Sequence, residues 1–397
     1  MIKSHSQVLS ARWVVPVTSE PIHGGWVKVG NGCVVALGAG TPSAPYRDLG
    51  DVAILPGLVN AHTHLEFSDC QEPVGDSGIS LSKWIGQVVT TRVASNESHR
   101  RAAIDCGIRE LAQTGTCLVG EIATTPCQYP ADTHGVDLIS FAEVLGLNSS
   151  RGSERLAAAN AHLGFDGSRG VSPHAPYSTS LETIDACLDL VVKQSRPLVM
   201  HVAESPDERE LLEAGTGPFA EALRSMGVWQ DHLFPWPGNP FLGLIERLAR
   251  APRSLMIHAN DLRTSEIEAL AAHPHITVVY CPRTHHFFQY DEHPVAEMLA
   301  HGVRVALGTD SRASNPDLNL WSEAQFLWRH RSDLQPASVL EMATWSGSQA
   351  LGRSNVGSIG PGSLAKLGTV RTTASRVDDL YRDFAANPYH PIRNNIS

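Results

Sequence analysis

Basic residues are scarce in this chain and are nowhere concentrated. Only five lysines occur among the 397 residues, no run is rich in lysine and arginine, and the formal net charge is −10. Proteins that bind nucleic acid or an anionic membrane surface usually carry a basic patch for the phosphate groups. The composition therefore predicts neither nucleic acid nor a membrane as a partner.

Long apolar stretches and paired cysteines are also missing. No apolar run is long enough to span a bilayer, and the first residues, MIKSHSQVLSARWVVPV, lack the apolar core of a signal peptide. The seven cysteines are scattered and show no C-x-x-C spacing. This usage is typical of reduced thiols rather than of a disulfide framework or a zinc knuckle. We therefore expect a cytoplasmic protein.

The two ends of the chain differ from its middle in their sequence pattern. Residues 1–54 contain short strand-like runs between glycine and proline turns, such as GGWVKVGNG and CVVALGAG. Residues 345–397 return to short strands and turns, as in VGSIGPGSLAKLGTVRT. We expect the two ends to pair as a small composite β-sandwich.

The middle region, residues 55–344, predicts the main fold. Eight apolar runs alternate there with amphipathic, helix-like segments: ILPGLVNAHTH, TCLVGEIA, LISFAEVLG, GVSPHAP, PLVMHVAE, SLMIHAND, ITVVYCP and VRVALGTDS. This alternation predicts a mostly parallel sheet, and eight strands are the number that closes into a (β/α)8 TIM barrel. A long excursion, residues 205–252, is expected to cover or flank one strand end.

Polar residues gather where the predicted strands end. The first strand ends in His62 and His64, whose side chains share one face of an extended backbone, and Glu66 follows on that face. Later strand ends carry His174, His201 with Glu204, His258, and Asp310. The carboxyl ends of barrel strands meet at one rim, where active sites of this fold lie. Imidazole and carboxylate groups are ligands of divalent metals such as zinc, which make bound water acidic. The sequence therefore predicts a metal site formed by His62, His64, His201 and Asp310.

Each of these signals has an ordinary structural alternative. An H-x-H pair also occurs as hydrogen-bonded core histidines. His201 with Glu204 also fits a strand-end histidine and a solvated glutamate, and Asp310 also fits a helix cap. The metal interpretation depends on the whole set, in this order and at this spacing.

Four motifs resemble those of the amidohydrolase superfamily: LPGLVNAHTH, SPHAPYS, HVAES and LGTDSRASN. The resemblance covers nearly the whole chain and points to the branch of chlorohydrolases and purine-type deaminases. It implies an α/β protein with a distorted TIM barrel that hydrolyses C–N bonds other than peptide bonds. The motif IHAND departs from the commoner wording after its histidine, which leaves details of the pocket open.

The resemblance also implies a role for each strand-end residue. The four ligands named above would hold one Zn²⁺, with Fe²⁺ as the alternative. His258 would orient the attacking water, and Asp310 would also serve as its base. Glu204 would move a proton to the ring nitrogen and help to expel ammonia, and His174 would contact the substrate.

The sequence favours one metal rather than two. Two-metal relatives usually bridge their ions with a carboxylated lysine at a middle strand end. No lysine of this chain stands there, since Lys193 lies in a helix-like stretch; the full set is Lys3, Lys28, Lys83, Lys193 and Lys366. Glu121 at a strand end leaves a glutamate bridge open.

Three further residues are candidates for substrate contacts. NAHTHLEFS and CPRTHHFF look most like aminodeoxyfutalosine deaminases, which hydrolyse the adenine amino group of a ribosyl benzoate compound on a route to menaquinone. Arg283 could bind the carboxylate of such a substrate, or form a structural ion pair. Glu66 could accept hydrogen bonds from a nucleoside, or act as an ion-pair or supporting partner of the metal site. Trp84 could stack on an aromatic ring, or pack a helix on the core.

The resemblance thus implies a mononuclear deaminase of an adenine-type ring in a small nucleoside-like substrate. Aminodeoxyfutalosine is the first candidate, followed by S-adenosylhomocysteine, methylthioadenosine and adenosine. The alternatives are hydrolytic dechlorination of triazines, opening of a cyclic amide or imidazolone, and a non-catalytic member that only binds a ligand. The resemblance is compatible with a homodimer.

Overall fold

Two separate sheets contain the strands of this computed structural model, which describes residues 6–93, 96–125, 127–165 and 168–392. In chain order the strands are β1 (Ser6–Val14), β2 (Ile22–Gly30), β3 (Cys33–Ala39), β4 (Arg47–Asp48), β5 (Val52–Pro56), β6 (Leu58–Thr63), β7 (Thr116–Ala123), β8 (Asp137–Val144), β9 (Arg169–Pro173), β10 (Leu198–Val202), β11 (Ser254–His258), β12 (Ile276–Tyr280), β13 (Arg304–Leu307), β14 (Leu367–Arg371) and β15 (Tyr389–Pro391).

Helices follow most strands of the larger sheet. They are α1 (Leu81–Val93), α2 (Glu97–Gln113), α3 (Ser149–Leu163), α4 (Leu181–Gln194), α5 (Pro206–Ala214), α6 (Gly217–Ser225), α7 (Pro240–Leu248), α8 (Thr264–Ala271), α9 (Pro282–Phe288), α10 (Val295–Ala300), α11 (Leu320–His330), α12 (Pro336–Met342), α13 (Trp345–Leu351) and α14 (Val377–Ala386), with a 3₁₀ turn at Leu65–Phe67. Among the described helices, none combines the length and the apolar content that crossing a membrane requires.

The larger sheet is the predicted barrel. Strands β6 to β13 are parallel and pair in chain order. The ring closes after β13, where the backbone N–H groups of Thr309 and Asp310 donate to the carbonyl oxygen of His62 at 3.1 and 3.2 Å. Strands β7, β10, β11 and β12 are buried along their whole length, so they appear in the sequence as continuous apolar runs. The α/β barrel is confirmed, and each of the eight predicted runs overlaps a strand.

The smaller sheet is built from both ends of the chain, as predicted. Its strand order is β15-β14-β5-β1-β2-β3, with β4 also paired to β1. Only Gly57 separates β5 from β6, and a Cβ atom there would lie 2.5 Å from Sγ of Cys117. The first apolar run is thus divided at Gly57 between two sheets. The predicted boundary between residues 54 and 55 therefore falls inside β5, and α13, beyond the boundary at 344, still packs on β6.

The excursion over residues 205–252 contains α5, α6 and α7. Each of these helices has a proline in its first turn, at Pro206, Pro218 and Pro240. Proline is favourable there because its fixed φ suits the helix and its missing N–H would have no partner within the helix. Helix α6 lies beside α1, and the two helices flank the carboxyl ends of the barrel strands.

Docking of the C-terminal helix on the barrel gives a stability prediction. Phe384 of α14 is fully buried against Trp321, Trp328 and Tyr381, with ring centroids 5.6–6.0 Å apart. Phe384→Ala should lower the free energy of unfolding by about 3–5 kcal/mol, because it leaves a cavity in a packed cluster. The check is chemical denaturation followed by tryptophan fluorescence.

The matched control is Phe165→Ala, since the Phe165 side chain is 73% exposed. This change should stay within about 0.5 kcal/mol of wild type. Equal behaviour of the two variants would contradict the docking of α14.

Candidate active site

The four predicted ligands meet at the rim of the barrel. His62 and His64 stand at the end of β6, His201 lies in β10, and Asp310 follows β13. Nε2 of His64 lies 3.3 Å from Nε2 of His201. Oδ1 of Asp310 lies 3.5 Å from Nε2 of His62 and 3.8 Å from Nε2 of His64. Each of the four donor atoms thus lies within 3.8 Å of at least one of the others.

The donor set fits a divalent cation. His62 is fully buried, and neither of its ring nitrogens has a hydrogen-bond partner among the described residues. His201 donates from Nδ1 to the carbonyl oxygen of His174 at 2.8 Å, so its Nε2 is the nitrogen with a free lone pair. His62 forms two groups whose donor atoms lie within 4.8 Å of one another: one with His64 and Asp310, the other with His201 and His258.

Electrostatics also favours metal ligation. Burial lowers the pKa of His62, His64 and His258 well below its usual range, and neighbouring imidazoles lower it further. The same causes lower the pKa of His201 to about 4. These histidines are therefore neutral, which is the form that binds a metal.

Asp310 is held with one oxygen directed to the histidines. Its Oδ2 accepts a hydrogen bond from Ser314 Oγ at 2.8 Å, and its carbonyl oxygen accepts one from Thr63 Oγ1 at 2.7 Å. The backbone of Asp310 is left-handed, with φ of 54°. The turn after β13 therefore directs this side chain back over the barrel rim.

Glu204 and His258 form a pair beside the four predicted ligands. Nε2 of His258 lies 3.4 Å from Oε1 of Glu204, and the hydroxyl of Tyr177 donates to Oε2 of Glu204 at 3.2 Å. Burial raises the pKa of Glu204 well above the usual carboxyl range, and Asp310 and Glu208 raise it further. A raised pKa favours a protonated carboxyl that can donate a proton.

His174 also lies where the sequence places it, at the end of β9. Its Nδ1 is 2.6 Å from Ser178 Oγ, and its Nε2 is 4.0 Å from Glu143 Oε1. Both His174 and Glu143 line the main cavity. This pair contributes polar groups to the cavity lining.

The cavity above these residues has a volume of about 740 Å³, which is a size typical of small-molecule sites. Its outer walls are mostly apolar and come from α1, α6 and the segment after α6: Trp84, Ile85, Val88, Phe219, Leu223 and Trp229. Trp84 lines the cavity while its Nε1 donates to the carbonyl oxygen of Ala313 at 3.2 Å. The rim is also apolar, since Val89 and Met226 are about half exposed there.

Glu66 lies outside this cavity. It accepts a hydrogen bond from Thr124 Oγ1 at 3.0 Å and lines a cavity of about 30 Å³ together with Glu121. Oε2 of Glu121 in turn accepts from the backbone N–H of Leu65 at 2.9 Å. This geometry favours a supporting role for Glu66 over contact with a nucleoside.

Arg283 is likewise absent from the lining of the main cavity. Its guanidinium binds Glu323 at 2.6 Å and Asp317 at 2.6 Å, and Glu323 is fully buried. Asn315 joins Glu323 to the carbonyl oxygen of Thr309, next to Asp310. The geometry favours the structural ion pair, the alternative to carboxylate binding.

Arg151 is the cation that the sequence reasoning missed. It lies in the first turn of α3, lines the mouth of the cavity, is exposed, and forms no ion pair with a described residue. Glu143, at the end of β8, was missed too, although it is a polar residue at a strand end like the histidines. Arg151 lies several residues beyond the end of β8, so the pattern of polar residues at strand ends does not include it.

The ligand assignment predicts which histidine substitutions lower the metal content of the protein. His64→Asn should lower the metal content of the purified protein strongly, because it removes one donor from the cluster. His162 is also buried, but it is bonded to Ser140 in the barrel wall. The measurement is metal content by mass spectrometry after dialysis.

His162→Asn is the matched control and should keep the wild-type metal content. Full metal in the His64 variant, or equal loss in both variants, would contradict the assignment.

Known proteins resemble this chain over most of its length. The model of the amidohydrolase family matches residues 53–386. The 5-methylthioadenosine/S-adenosylhomocysteine deaminase of Nitratidesulfovibrio vulgaris is 29% identical over 394 residues, which cover 91% of this chain and 82% of the relative. The aminodeoxyfutalosine deaminase of Deinococcus radiodurans is 30% identical over 316 residues, which cover 75% of this chain and 73% of the relative.

A solved structure extends the likeness in fold. The aminofutalosine deaminase of Helicobacter pylori in complex with methylthio-coformycin superposes on this chain with a TM-score of 0.84. The match covers 98% of both chains at 20% sequence identity. At that identity the likeness concerns the fold alone.

Proposed function

This chain belongs to the amidohydrolase family, and from that premise we propose that it is a metal-dependent deaminase of an adenine-type ring. Water replaces the exocyclic amino group, and ammonia leaves. The substrate is a small nucleoside-like molecule, with aminodeoxyfutalosine as the first candidate. All seven cysteines are free thiols, which supports a cytoplasmic location.

His62, His64, His201 and Asp310 would hold one cation. Three imidazoles and a carboxylate are ligands that suit Zn²⁺, with Fe²⁺ as the alternative. A bound divalent cation supplies Lewis-acid activation of water. Glu121 is bonded to the backbone of Leu65 and lies outside the main cavity, which supports one metal rather than two.

The residues around the predicted ligands would move the protons that the deamination requires. Asp310 stands where it can take a proton from the attacking water, and His258 stands beside it to orient that water. Glu204 donates to the ring nitrogen next to the reacting carbon. In the balanced reaction, the water oxygen ends on the ring carbon, one of its protons ends on the ring nitrogen, and the other leaves with ammonia.

The position of Glu204 carries this proposal. Its carboxyl is buried, lines the cavity, and is held by Tyr177 at 3.2 Å beside His258. Deamination needs such a proton donor because a ring nitrogen must be protonated and an amine must leave. Dechlorination has no amine to protonate, so the same geometry favours a deaminase.

The outer cavity supports a substrate with an apolar, anionic tail. Its walls are aromatic and aliphatic, and the Arg151 guanidinium at the mouth forms no ion pair with a described residue. Guanidinium groups bind carboxylates through two parallel hydrogen bonds. A nucleoside that carries a benzoate fits these features better than adenosine does, in agreement with the names of two similar proteins.

Ammonia release over a substrate panel tests the proposal. The panel holds aminodeoxyfutalosine, adenosine, methylthioadenosine, S-adenosylhomocysteine, guanine and a chlorotriazine, each with metal-quantified protein. We expect aminodeoxyfutalosine to have the highest kcat/KM. Chloride release from the triazine alone would favour the dechlorinase, and metal-loaded protein without turnover of any compound would favour the non-catalytic alternative.

Arg151→Gln distinguishes, in the same assay, recognition of the substrate's tail from recognition of its reacting ring. The variant should raise KM for aminodeoxyfutalosine, whose tail carries a carboxylate. It should leave kcat/KM for methylthioadenosine unchanged. An equal effect on both compounds would contradict a contact between Arg151 and the carboxylate.

Glu204→Gln should lower kcat for the best substrate by about 10²–10⁴-fold, because it removes a general acid. Its metal content should remain that of wild type, since Glu204 is not among the four ligands. Steady-state ammonia release and metal analysis of the same preparation check both points. Loss of the metal would mean that Glu204 is a ligand instead.

A further inference from the structure

The backbone around Glu204 is held by side chains that do not line the cavity. Ala203, which precedes Glu204, is left-handed with φ of 54°. The next strand end is also left-handed, with φ of 70° at His258 and 53° at Ala259. Such conformations cost about 1–3 kcal/mol each for residues other than glycine and persist where the surroundings enforce them. The enforcing contacts can be identified.

Glu208 makes the first of these contacts. The sequence SPDE, from Ser205 to Glu208, matches a helix capping box, in which the glutamate reaches back to the N–H of the capping serine. Here the carboxylate extends past Ser205. Its Oε1 accepts the N–H of Ala203 at 2.8 Å, and its Oε2 accepts the N–H of Glu204 at 2.9 Å. Glu208 is fully buried, so it serves two successive amide groups of the strand end.

Asn260 makes the second contact, from the motif IHAND. Its Nδ2 donates to the carbonyl oxygen of Glu204 at 2.8 Å. The backbone of the same loop adds two bonds, from Ala259 N–H to Val202 and from Asp261 N–H to Ala203, each at 3.0 Å. The N–H of Glu204 is thus held from helix α5, and its carbonyl oxygen is held from the loop after β11.

The two contacts are linked to each other. Arg209 follows Glu208, and Asp261 follows Asn260. Nε of Arg209 donates to Oδ2 of Asp261 at 2.6 Å, and Nη2 donates to the fully buried Glu266 at 2.8 Å. The helix and the loop that hold Glu204 therefore form one braced unit.

We infer that Glu208 and Asn260 are positioning residues that fix the backbone of Glu204 and thereby set its carboxyl against His258 and the substrate ring. This inference rests on the proposed function, because Glu204 is the proton-transfer group there. Neither Glu208 nor Asn260 lines the cavity, so each acts through Glu204. These contacts give Glu208 of the capping motif and Asn260 of the IHAND motif a role at these two strand ends.

Two nearly isosteric variants test the inference. Glu208→Gln turns an NH₂ group toward one backbone N–H, and Asn260→Asp turns a carboxylate toward the Glu204 carbonyl oxygen. Each should lower kcat by about 10–100-fold, because displacement of a catalytic group by about 1 Å has effects of this size. KM should change by less than about threefold, and the metal content should remain that of wild type.

Asp383→Asn is the matched control for a merely structural role. Asp383 is a carboxylate that accepts a backbone N–H from Thr373 at 3.0 Å and a hydroxyl from Thr372 at 2.7 Å, away from the cavity. This variant should lower the melting temperature and leave kcat unchanged. A fall in kcat as large as that of Glu208→Gln would overturn the inference.

A double-mutant cycle tests whether the effect passes through Glu204. In a Glu204→Gln background, Glu208→Gln should lower kcat by less than about threefold, because the group being positioned is already missing. Full additivity of the two changes would overturn the positioning role. Loss of metal in the Glu208 or Asn260 variants would overturn it too, since the contacts would then support His201.

Hydrogen exchange provides a readout that does not depend on turnover. The amides of Ala203 and Glu204 should exchange faster in Glu208→Gln, while peptides from the rest of the barrel keep wild-type protection. Unchanged exchange at these two amides would overturn the inference. If the wild-type protein deaminates no compound of the panel, the proposed function fails, and the exchange result still decides whether Glu208 holds this backbone.

Discussion

Closure of the barrel between its first and last strands is the constraint on which the candidate site depends. The carbonyl oxygen of His62 accepts the backbone N–H groups of Thr309 and Asp310, and Asn60 donates to the hydroxyl of Thr309 at 2.7 Å. These bonds bring the histidine pair of β6 beside the carboxylate that follows β13. Because all the strands are parallel, the other polar strand ends reach the same rim. Closure thus turns residues far apart in the sequence into one cluster.

The cluster contains buried ring nitrogens that have no hydrogen-bond partner among the described residues. Buried polar atoms without partners cost about 1–3 kcal/mol each, and both ring nitrogens of His62 are in this state among the described residues. His201 donates its only ring N–H to a carbonyl oxygen, which leaves a lone pair directed to the centre. A divalent cation would bind the lone pair of His201 and the one lone pair of neutral His62 together. Folding and metal binding are therefore expected to be coupled, with the cation stabilising the barrel rim.

The sequence predicted those parts of the molecule that follow from the pattern of apolar residues and from the order of the strands in the barrel. Buried parallel strands produce continuous apolar runs, and a polar residue at the end of such a run is placed at the rim by the barrel itself. The partner of an arginine outside these strands is not governed in this way. Arg283 binds Glu323 and Asp317 because α11 and the loop before it lie alongside α9, a tertiary fact that no local pattern reveals. Arg151 was missed for the same reason, since the mouth of the cavity is assembled from helices.

Backbone strain at the rim explains why these strand ends need so much support. A left-handed turn directs a side chain back over the barrel, and glycine would adopt that turn without strain. Glycine carries no functional group, however, so His258 and Asp310 must adopt the unfavourable conformation themselves, with φ of 70° and 54°. The surrounding hydrogen bonds offset this cost: Thr63 binds the carbonyl oxygen of Asp310 at 2.7 Å, and His293 binds that of His258 at 2.9 Å. Hydrogen bonds therefore hold the rim where the proposed chemistry needs side chains at positions whose backbone conformation favours glycine.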